Sequence, residues 1–243
     1  MKTHLNAVIF GTAIVAASFF LGKAYVDRAR GSGQIQVTGL GEKNFVSDLI
    51  VWEGRFAAEA FELKQAFLQL EESKSVIKTY LLGKGVDESD IIFSAVRSSE
   101  QTKRKYSADG DYIGDDFIGY RLTQTVQIES FEVEQIENIS REVTELLNQG
   151  VNFYSEAPRY YYTKLGELKI EMISKATEDA RMRAEKIADN SGGQLGELSS
   201  AKMGVFQILG QNSKESYSWG GTFNTSSKLK TASITMKLVY KVD

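Results

Sequence analysis

The residues of this sequence best suited to making contacts are aromatic, and three of them lie close together near the C-terminus. Loop 210–227 carries Tyr217, Trp219 and Phe223 among Ser, Asn and Gly residues. Exposed rings in a flexible polar loop are typical of contact with another protein, a membrane surface or a glycan. The alternative is that the rings fold back over a sheet as a small lid. Both interpretations remain open, and these three residues are the candidate partner contact.

The residue types that most often do acid–base or metal chemistry are missing from the sequence. The chain has no Cys, and its single His is His4, in the N-terminal segment. This excludes thiolate nucleophiles, disulfides and thiolate zinc sites, and it leaves the rest of the chain without an imidazole. A hydrolase using Ser and carboxylates would need a convergent pocket that no motif predicts. We therefore expect a protein that is not an enzyme and has no catalytic residue.

A metal or cofactor site is not predicted either. In the segment 98–116, Asp109-Gly110-Asp111 has some likeness to a calcium-binding loop, but the bidentate Glu at the required spacing is missing. Lys103-Arg104-Lys105 in the same segment favours a solvent-exposed hairpin loop. No glycine fingerprint for phosphate binding is found. The sequence thus predicts no cofactor, no cofactor-binding residue and no metal ligand.

Three consecutive tyrosines, 160–162, follow Pro158, the only proline of the chain. On a strand, Tyr160 and Tyr162 share one face and Tyr161 takes the other, so the three rings cannot form one stacking platform. Proline cannot donate to a ladder, which indicates a sheet edge or a bulge. The segment 151–162 is therefore predicted to be a strand rather than an aromatic site.

The N-terminal segment is predicted to enter a membrane. An apolar run extends from Leu5 to Gly22, and 18 helical residues span about 27 Å, close to the thickness of a bilayer core. Charged flanks and the linker Gly31-Ser32-Gly33 follow it. Residues suited to signal cleavage are poorly placed, which favours a signal-anchor over a cleaved signal peptide. Positive charges flank both ends, so the positive-inside rule does not set the orientation.

The remainder of the chain, residues 34–243, is acidic. It carries 25 basic and 31 acidic residues, a net charge of −6. An acidic surface repels phosphate backbones, and a nucleic-acid partner is therefore not expected. We divide the chain into a targeting segment with its linker, 1–33, and one domain, 34–243.

Hydrophobic periodicity predicts an α+β fold. The order is β-β-α-β-β-α-β-α-β-β, with paired antiparallel strands and three long helices packed on the sheets, plus the N-terminal membrane helix. The first long helix buries a stripe that includes Leu63, Ala66, Phe67, Leu70, Ile77 and Leu81. The second runs from about residue 130 to Gly150. The third, 165–190, has the most continuous apolar stripe and ends at Asn190-Ser191-Gly192-Gly193.

Several stretches of the sequence resemble SIMPL-domain proteins, also called the periplasmic immunogenic protein or oxidative-stress-defence family. Typical members open with a strand, a TG-x-G turn and a strand carrying Pro-Asp; here Thr38, Gly39 and Gly41 match the turn and Asp48 the aspartate, while Ser47 replaces the proline. Further matching stretches are LLGKGVDESDI (81–91), FIGYRLTQTVQI (117–128) and KATEDARMRAEKIADNSGGQLGEL (175–198). The resemblance covers residues 34–243, although loop 210–227 departs from the Pro- or Met-rich loop of many relatives.

The resemblance implies a bacterial envelope protein with an α+β fold and no catalytic motif, linked to stress protection and, in some members, to self-assembly. The expected location is the inner membrane with a periplasmic domain, or the periplasm if the signal is cleaved. The expected partners are the membrane, through the N-terminal helix, and a homo-oligomer or an envelope component of unknown identity. The alternative is a monomeric periplasmic receptor for a small molecule or cell-wall glycan, using the aromatic loop 210–227.

Overall fold

The structure, a computed structural model, describes residues 2–29 and 33–242, with side chains for 9–26 and 33–242. In this part of the chain the helices are α1 (Lys2–Ala29), α2 (Leu63–Gly83), α3 (Val133–Glu142) and α4 (Leu165–Asn190). The strands are β1 (Gly33–Val46), β2 (Leu49–Ala60), β3 (Ile91–Phe93), β4 (Arg97–Tyr106), β5 (Tyr112–Ser130), β6 (Phe153–Ser155), β7 (Arg159–Tyr161), β8 (Leu195–Met203), β9 (Gln207–Gly210) and β10 (Leu229–Val242). The predicted α+β class is confirmed.

The N-terminal helix α1 contains an 18-residue stretch, Ile9–Val26, that is long and apolar enough to cross a membrane. The predicted run, Leu5 to Gly22, lies four residues earlier. Ile9, Phe10, Phe19 and Phe20 are exposed, as expected of side chains that face lipid. A signal sequence has the same length and composition, so anchor and cleaved signal remain open. The predicted linker residues Gly31 and Ser32 lie outside the described residues.

The chain divides into two compact units. The first contains α1, most of β1 and α4, β8 and the C-terminal part of β10. Here α4 buries one residue per turn at a spacing of four. These residues are Leu168, Met172, Ala176, Ala180, Ala184 and Ala188. Most of them are alanines, so the backbone of another element can lie close to this side of the helix.

Strand β1 is that element. A Cβ on Gly39 would lie 2.1 Å from the Ala176 carbonyl oxygen, and one on Gly41 would lie 2.2 Å from that of Met172. Glycine within a strand is typical of such a close approach. The predicted turn at 38–41 is therefore wrong: β1 runs unbroken to Val46, and only Ser47 and Asp48 separate it from β2.

The second unit is built on the antiparallel pair β2–β5, in register from Ile50↔Ser130 to Ala60↔Tyr120. Its other strands pair in the order β3-β5-β2-β6, with β4 on β5 and β7 on β2. Helix α2 contributes Ala66, Leu70, Ile77 and Leu81 to the core, as predicted. Leu63 and Phe67, expected on the same stripe, are 46% exposed each, so the buried face is narrower than the pattern indicated.

The segment 98–116, predicted as a solvent-exposed hairpin loop, is the outer part of a long two-stranded hairpin. Its arms are β4 and β5, paired from Arg97↔Thr123 to Tyr106↔Tyr112. The turn is short, with the Ser107 amide donating to the Asp111 carbonyl at 2.7 Å. Both faces of the hairpin's outer part are exposed, so its strands do not need alternating apolar residues. Their charged and polar sequence therefore did not predict strands.

Two other elements are shorter than predicted. The second long helix is α3 followed by a 3-10 segment, Val143–Gln149, which ends at Gly150 in the left-handed conformation. The predicted strand 151–162 is interrupted at residues 156–158, where Pro158 lies. Its two halves, β6 and β7, pair with different parts of β2.

Candidate functional site

The aromatic loop, residues 210–227, connects β9 to β10 and is fixed at both ends. The Gln211 amide donates to the Leu229 carbonyl at 2.9 Å. Further in, the Ile208 amide donates to Thr222 at 2.7 Å and the Asn224 amide to Ile208 at 2.9 Å. The loop thus lies against β9 rather than hanging free between two strand ends.

Glu215 holds the interior of the loop. Its carboxylate accepts hydrogen bonds from the Gly210 amide at 2.9 Å, the Asn224 side-chain amide at 2.5 Å and the Ser213 hydroxyl at 3.3 Å. These donors, the Gly210 amide foremost, hold the pKa of the Glu215 carboxyl below its usual range. Asn224 is buried and also accepts from the Ser227 amide at 2.9 Å. The loop backbone is therefore ordered by its own polar side chains.

The three predicted contact residues differ in their surroundings. Trp219 is 100% exposed, Tyr217 is 67% exposed and Phe223 is 47% exposed. The Phe223 ring lies 6.4 Å from that of Tyr161. Gly221, with φ of +90°, makes the turn that follows Trp219. The lid alternative therefore fits Phe223 alone, while Trp219 and Tyr217 project from the loop.

A buried lysine in the same unit was missed by the sequence analysis. Lys230, on β10, is 1% exposed, and its Nζ donates to the Ser47 hydroxyl at 2.8 Å and the Tyr160 carbonyl at 2.5 Å. Burial lowers the pKa of Lys230 to about 8. The signal was available: inward-facing residues alternate along β10, and Lys230 shares the phase of Ala232 and Ile234.

Next to this lysine lies a charged network around the Tyr160 hydroxyl. Glu137 binds the Lys228 ammonium and the Arg141 guanidinium, both at 2.7 Å. The hydrogen bond from Lys228 is the main reason why the pKa of Glu137 is lowered. Burial, together with the Glu137 charge, raises the pKa of Tyr160 to about 12. Tyr160, predicted as a strand residue, is thus a core residue with a satisfied hydroxyl.

A surface groove of about 550 Å³ lies between β2, α2 and the segment 149–152. Gln69, Glu72, Asn152 and Tyr154 are among its lining residues. Its size falls within the range of small-ligand sites, about 300–1,000 Å³. The groove offers amide and carboxylate groups and the Arg121 guanidinium beside one tyrosine ring, a set suited to a polar ligand.

A comparison with protein families identifies the family of this chain. The model of the SIMPL family, described as a protein of unknown function (DUF541), matches residues 35–237. The chain belongs to the SIMPL family. No curated protein matches the chain.

The residues that carried the resemblance have structural roles in this SIMPL protein. The Asp48 carboxylate accepts from the amide and the hydroxyl of Thr163, both at 2.8 Å. Asp48 thereby fixes the chain just before α4, while its neighbour Ser47 is the partner of Lys230. Ser47 and Lys230 could in principle form a nucleophile–base pair, but Ser47 is 4% exposed, so a substrate cannot reach it.

Metal-binding groups are sparse in the part of this SIMPL protein that the structure describes. No three His, Asp or Glu side chains there are grouped as metal ligands would be. At the weak calcium-like motif, the Asp109 and Asp111 amides donate to the Ser107 hydroxyl at 3.3 Å and 3.1 Å, an ordinary turn arrangement. The expectation that no metal is required stays a prediction.

Proposed function

We propose that this SIMPL protein is a non-catalytic component of the bacterial envelope that acts by binding a partner or another copy of itself through the aromatic loop. The observation that carries the proposal is the full exposure of Trp219 on a loop whose backbone Glu215 holds in place. A protein in water gains nothing from presenting a bare indole ring, whereas a partner that covers the ring gains apolar contact.

The order of the loop strengthens this interpretation. A contact on a disordered loop must offset the entropy of fixing that loop, whereas a preorganised backbone has already met most of this cost. The hydrogen bonds to Glu215 and Asn224 fix the loop in the free chain. Trp219 and Tyr217 are therefore presented as rigid anchors of the kind that dominate contact energies.

The proposed location is the periplasmic side of the inner membrane, with α1 as the anchor. The membrane-length apolar stretch Ile9–Val26 supports it, as does the envelope location that the SIMPL resemblance implies. Confinement to a membrane also raises the local concentration of the domain, which favours contacts that are weak in dilute solution. Stress protection is the setting that the family resemblance suggests.

The absence of catalysis is part of the proposal. The sequence contains no Cys and only His4. The Ser47–Lys230 pair is buried, so a substrate cannot reach it. The chemistry available on the described surface is that of binding.

The test compares full-length wild-type protein with Trp219→Ala in nanodiscs, by native mass and by capture of envelope components. We expect Trp219→Ala to lose self-association or capture, because the anchor ring is gone. Phe131→Ala is the matched control, since Phe131 is also an exposed aromatic residue, at 70%, and lies in neither the aromatic loop nor the groove described above. If Trp219→Ala binds as well as the wild type, the aromatic loop is not the contact surface.

A receptor function has a specific basis in the groove of about 550 Å³, whose lining includes no residue of the aromatic loop. A neutral oligosaccharide could stack on Tyr154 and bond to Asn152 and Gln69. Calorimetric titration with chitotriose and maltotriose tests this alternative. If Tyr154→Ala abolishes oligosaccharide binding and Trp219→Ala does not, the result favours a receptor over a contact protein.

A further inference from the structure

Three arginines lie around one point of the outward face of the β4-β5-β2 sheet. Thr123 of β5 is directly opposite Arg97 of β4 on one side and Ala57 of β2 on the other. Arg121 is two residues from Thr123 on the same face, and Arg55 is opposite Thr125. Diagonal neighbours on a sheet lie within reach of long side chains, so the three guanidinium groups can converge above Thr123 and the small Ala57.

The groove formed there has about 850 Å³ and contains no acidic side chain, although the domain as a whole is acidic. It is lined by Arg55, Ser94, Ala95, Arg97, Ser98, Ser99, Arg121, Thr123 and Thr125. All but one of these residues bring a guanidinium or hydroxyl group. Guanidinium groups bind oxyanions through paired, charge-assisted hydrogen bonds, and hydroxyls supply further donors.

None of the three arginines is held by a strong ion pair in the described part of the chain. Arg97 makes no ion pair within the described part of the chain. Arg55 and Arg121 reach Glu156 and Glu59 only at 3.3 Å and 3.4 Å, in pairs that are largely exposed. Exposed pairs of this kind are weak, and a doubly charged anion in the groove competes well with them.

We propose that this arginine groove binds a phosphate-type oxyanion, supplied either by a lipid headgroup or by a free phosphate compound. The proposal goes beyond the contact function of the aromatic loop and does not depend on it.

The first arm of the test titrates pyrophosphate into the full chain held in neutral phosphatidylcholine nanodiscs. Arg97→Gln should weaken binding on the order of ten-fold, the loss of one charge-assisted bond. Lys105→Gln is the control, because Lys105 is a cation of the same strand that pairs with Asp116 outside the groove. Trp219→Ala should bind pyrophosphate normally, which separates this site from the aromatic loop.

The second arm measures binding to phosphatidylglycerol vesicles against phosphatidylcholine vesicles. If the chain binds the phosphatidylglycerol vesicles but not the phosphatidylcholine vesicles, and Arg97→Gln abolishes this binding, the anion is a lipid headgroup. Binding of pyrophosphate without vesicle binding would assign it to a free phosphate. If neither probe binds, or if Lys105→Gln weakens binding as much as Arg97→Gln, the site is overturned.

The free edge of β4 carries a second, independent inference. Within the described residues β4 pairs only with β5, which leaves the other edge of a ten-residue strand open. Directly opposite residues in an antiparallel pair either both bond to each other or both point away. The β4–β5 ladder has register shifts at Gln101/Thr102 and Lys105/Tyr106, but the extra residues lie in β5, so alternate residues of β4 still face the open edge. Two copies of β4 can therefore pair about a two-fold axis only if a residue lies on that axis.

Charge selects one such register. With Thr102 on the axis, Glu100 faces Arg104 of the second copy, twice, and no like charges are directly opposite. The remaining opposed pairs are Gln101 with Lys103, Ser99 with Lys105 and Ser98 with Tyr106. With Gln101 on the axis, Arg97 would lie opposite Lys105 of the second copy. With Lys103 on the axis, Lys103 would lie opposite Lys103 of the second copy. Like charges directly opposite are destabilising, so the edge repels itself in the neighbouring registers.

We infer that a second copy of this chain pairs with the open edge of β4 about Thr102. The chain lacks Cys, so a single introduced Cys reports the register. Thr102→Cys, in nanodiscs holding two copies and oxidised with copper phenanthroline, should form a covalent dimer of twice the mass. Ser99→Cys is the control: residues 99 of the two copies would lie about 20 Å apart, six strand residues, and cannot bridge.

Charge reversal makes the test sharper. Glu100→Arg should abolish the Thr102→Cys dimer, and adding Arg104→Glu should restore it. In one chain these residues are about 13 Å apart along the strand, so rescue can only come through a second copy. Equal cross-linking of Ser99→Cys and Thr102→Cys, or no rescue, overturns the pairing.

Discussion

The two tryptophans of this chain, both in its second unit, have opposite solvent exposures. Trp52, in the centre of β2, is fully buried; its Nε1 donates to Ser155 at 3.0 Å and its ring lies 5.8 Å from that of Phe153. Trp219, in the aromatic loop, is fully exposed. Around Trp52 the backbone forms a regular ladder, whereas around Trp219 polar side chains order the backbone and the ring faces outward. The same residue type therefore serves folding in one place and, in our proposal, contact in the other.

The largest expected effect is at the buried ring. Trp52→Ala should lower the free energy of unfolding by about 3–5 kcal/mol, because a large cavity is left beneath the sheet and an aromatic contact is lost. Urea unfolding of the full chain in detergent measures it, with Tyr154→Ala as an exposed aromatic control. A loss below about 1 kcal/mol would mean that Trp52 is not part of a packed core.

The next effect tests the close approach of β1 to α4. In Gly39→Ala the new Cβ would lie 2.1 Å from the Ala176 carbonyl oxygen, so β1 and α4 must separate. We expect a cost of about 1–3 kcal/mol, typical of overpacking. Gly83→Ala is the control, because a Cβ there meets nothing within 4 Å. Equal unfolding midpoints for the two variants would contradict the packing described here.

Burial of a charge, rather than of a ring, gives a pH-dependent effect. The pKa of Lys230 is about 8 in the folded chain and near 10.5 when unfolded, so the unfolded state binds the proton more tightly. Stability from this group is therefore lost as the pH falls from about 10.5 to about 8. Between pH 9.5 and pH 7 the wild type should lose about 2 kcal/mol relative to Lys230→Met.

Unfolding of the wild type and Lys230→Met at both pH values measures this difference. Other titrating groups are common to the two chains and cancel. Lys237→Met provides the control, since Lys237 is exposed on the same strand. A constant difference between the wild type and Lys230→Met across this range would show that Lys230 keeps its ordinary pKa.

The smallest expected effect on stability is at the exposed ring. Trp219→Ala should change the free energy of unfolding by less than about 0.5 kcal/mol, as surface substitutions usually do. A loss above about 2 kcal/mol would make the ring a core lid. Fluorescence provides a second measurement: in Trp52→Phe, Trp219 alone remains, and acrylamide should quench it freely in the absence of a partner and weakly in its presence.

Local patterns predicted some elements accurately and others poorly. The helix 165–190 was predicted at its observed bounds, because its apolar spacing and the glycines after it are local signals. The outer part of the β4–β5 hairpin, 98–116, was predicted as a solvent-exposed hairpin loop, because strands exposed on both faces have no apolar alternation. Of the candidate site, the exposure of Trp219 agrees with the contact interpretation, but the anchoring role of Glu215 depends on partners that only the folded loop brings together.

The sequence by itself determined the family, the α+β class, the apolar N-terminal stretch and the lack of cysteine and histidine chemistry. These follow from composition and from periodicities within single elements. Only the tertiary structure decided that the face of β10 carrying Lys230 is covered, that Gly39 and Gly41 admit a helix backbone rather than form a turn, and that Trp52 and Trp219 have opposite exposures. The physical reason is that a pattern shows which residues share a face, whereas burial depends on what covers that face.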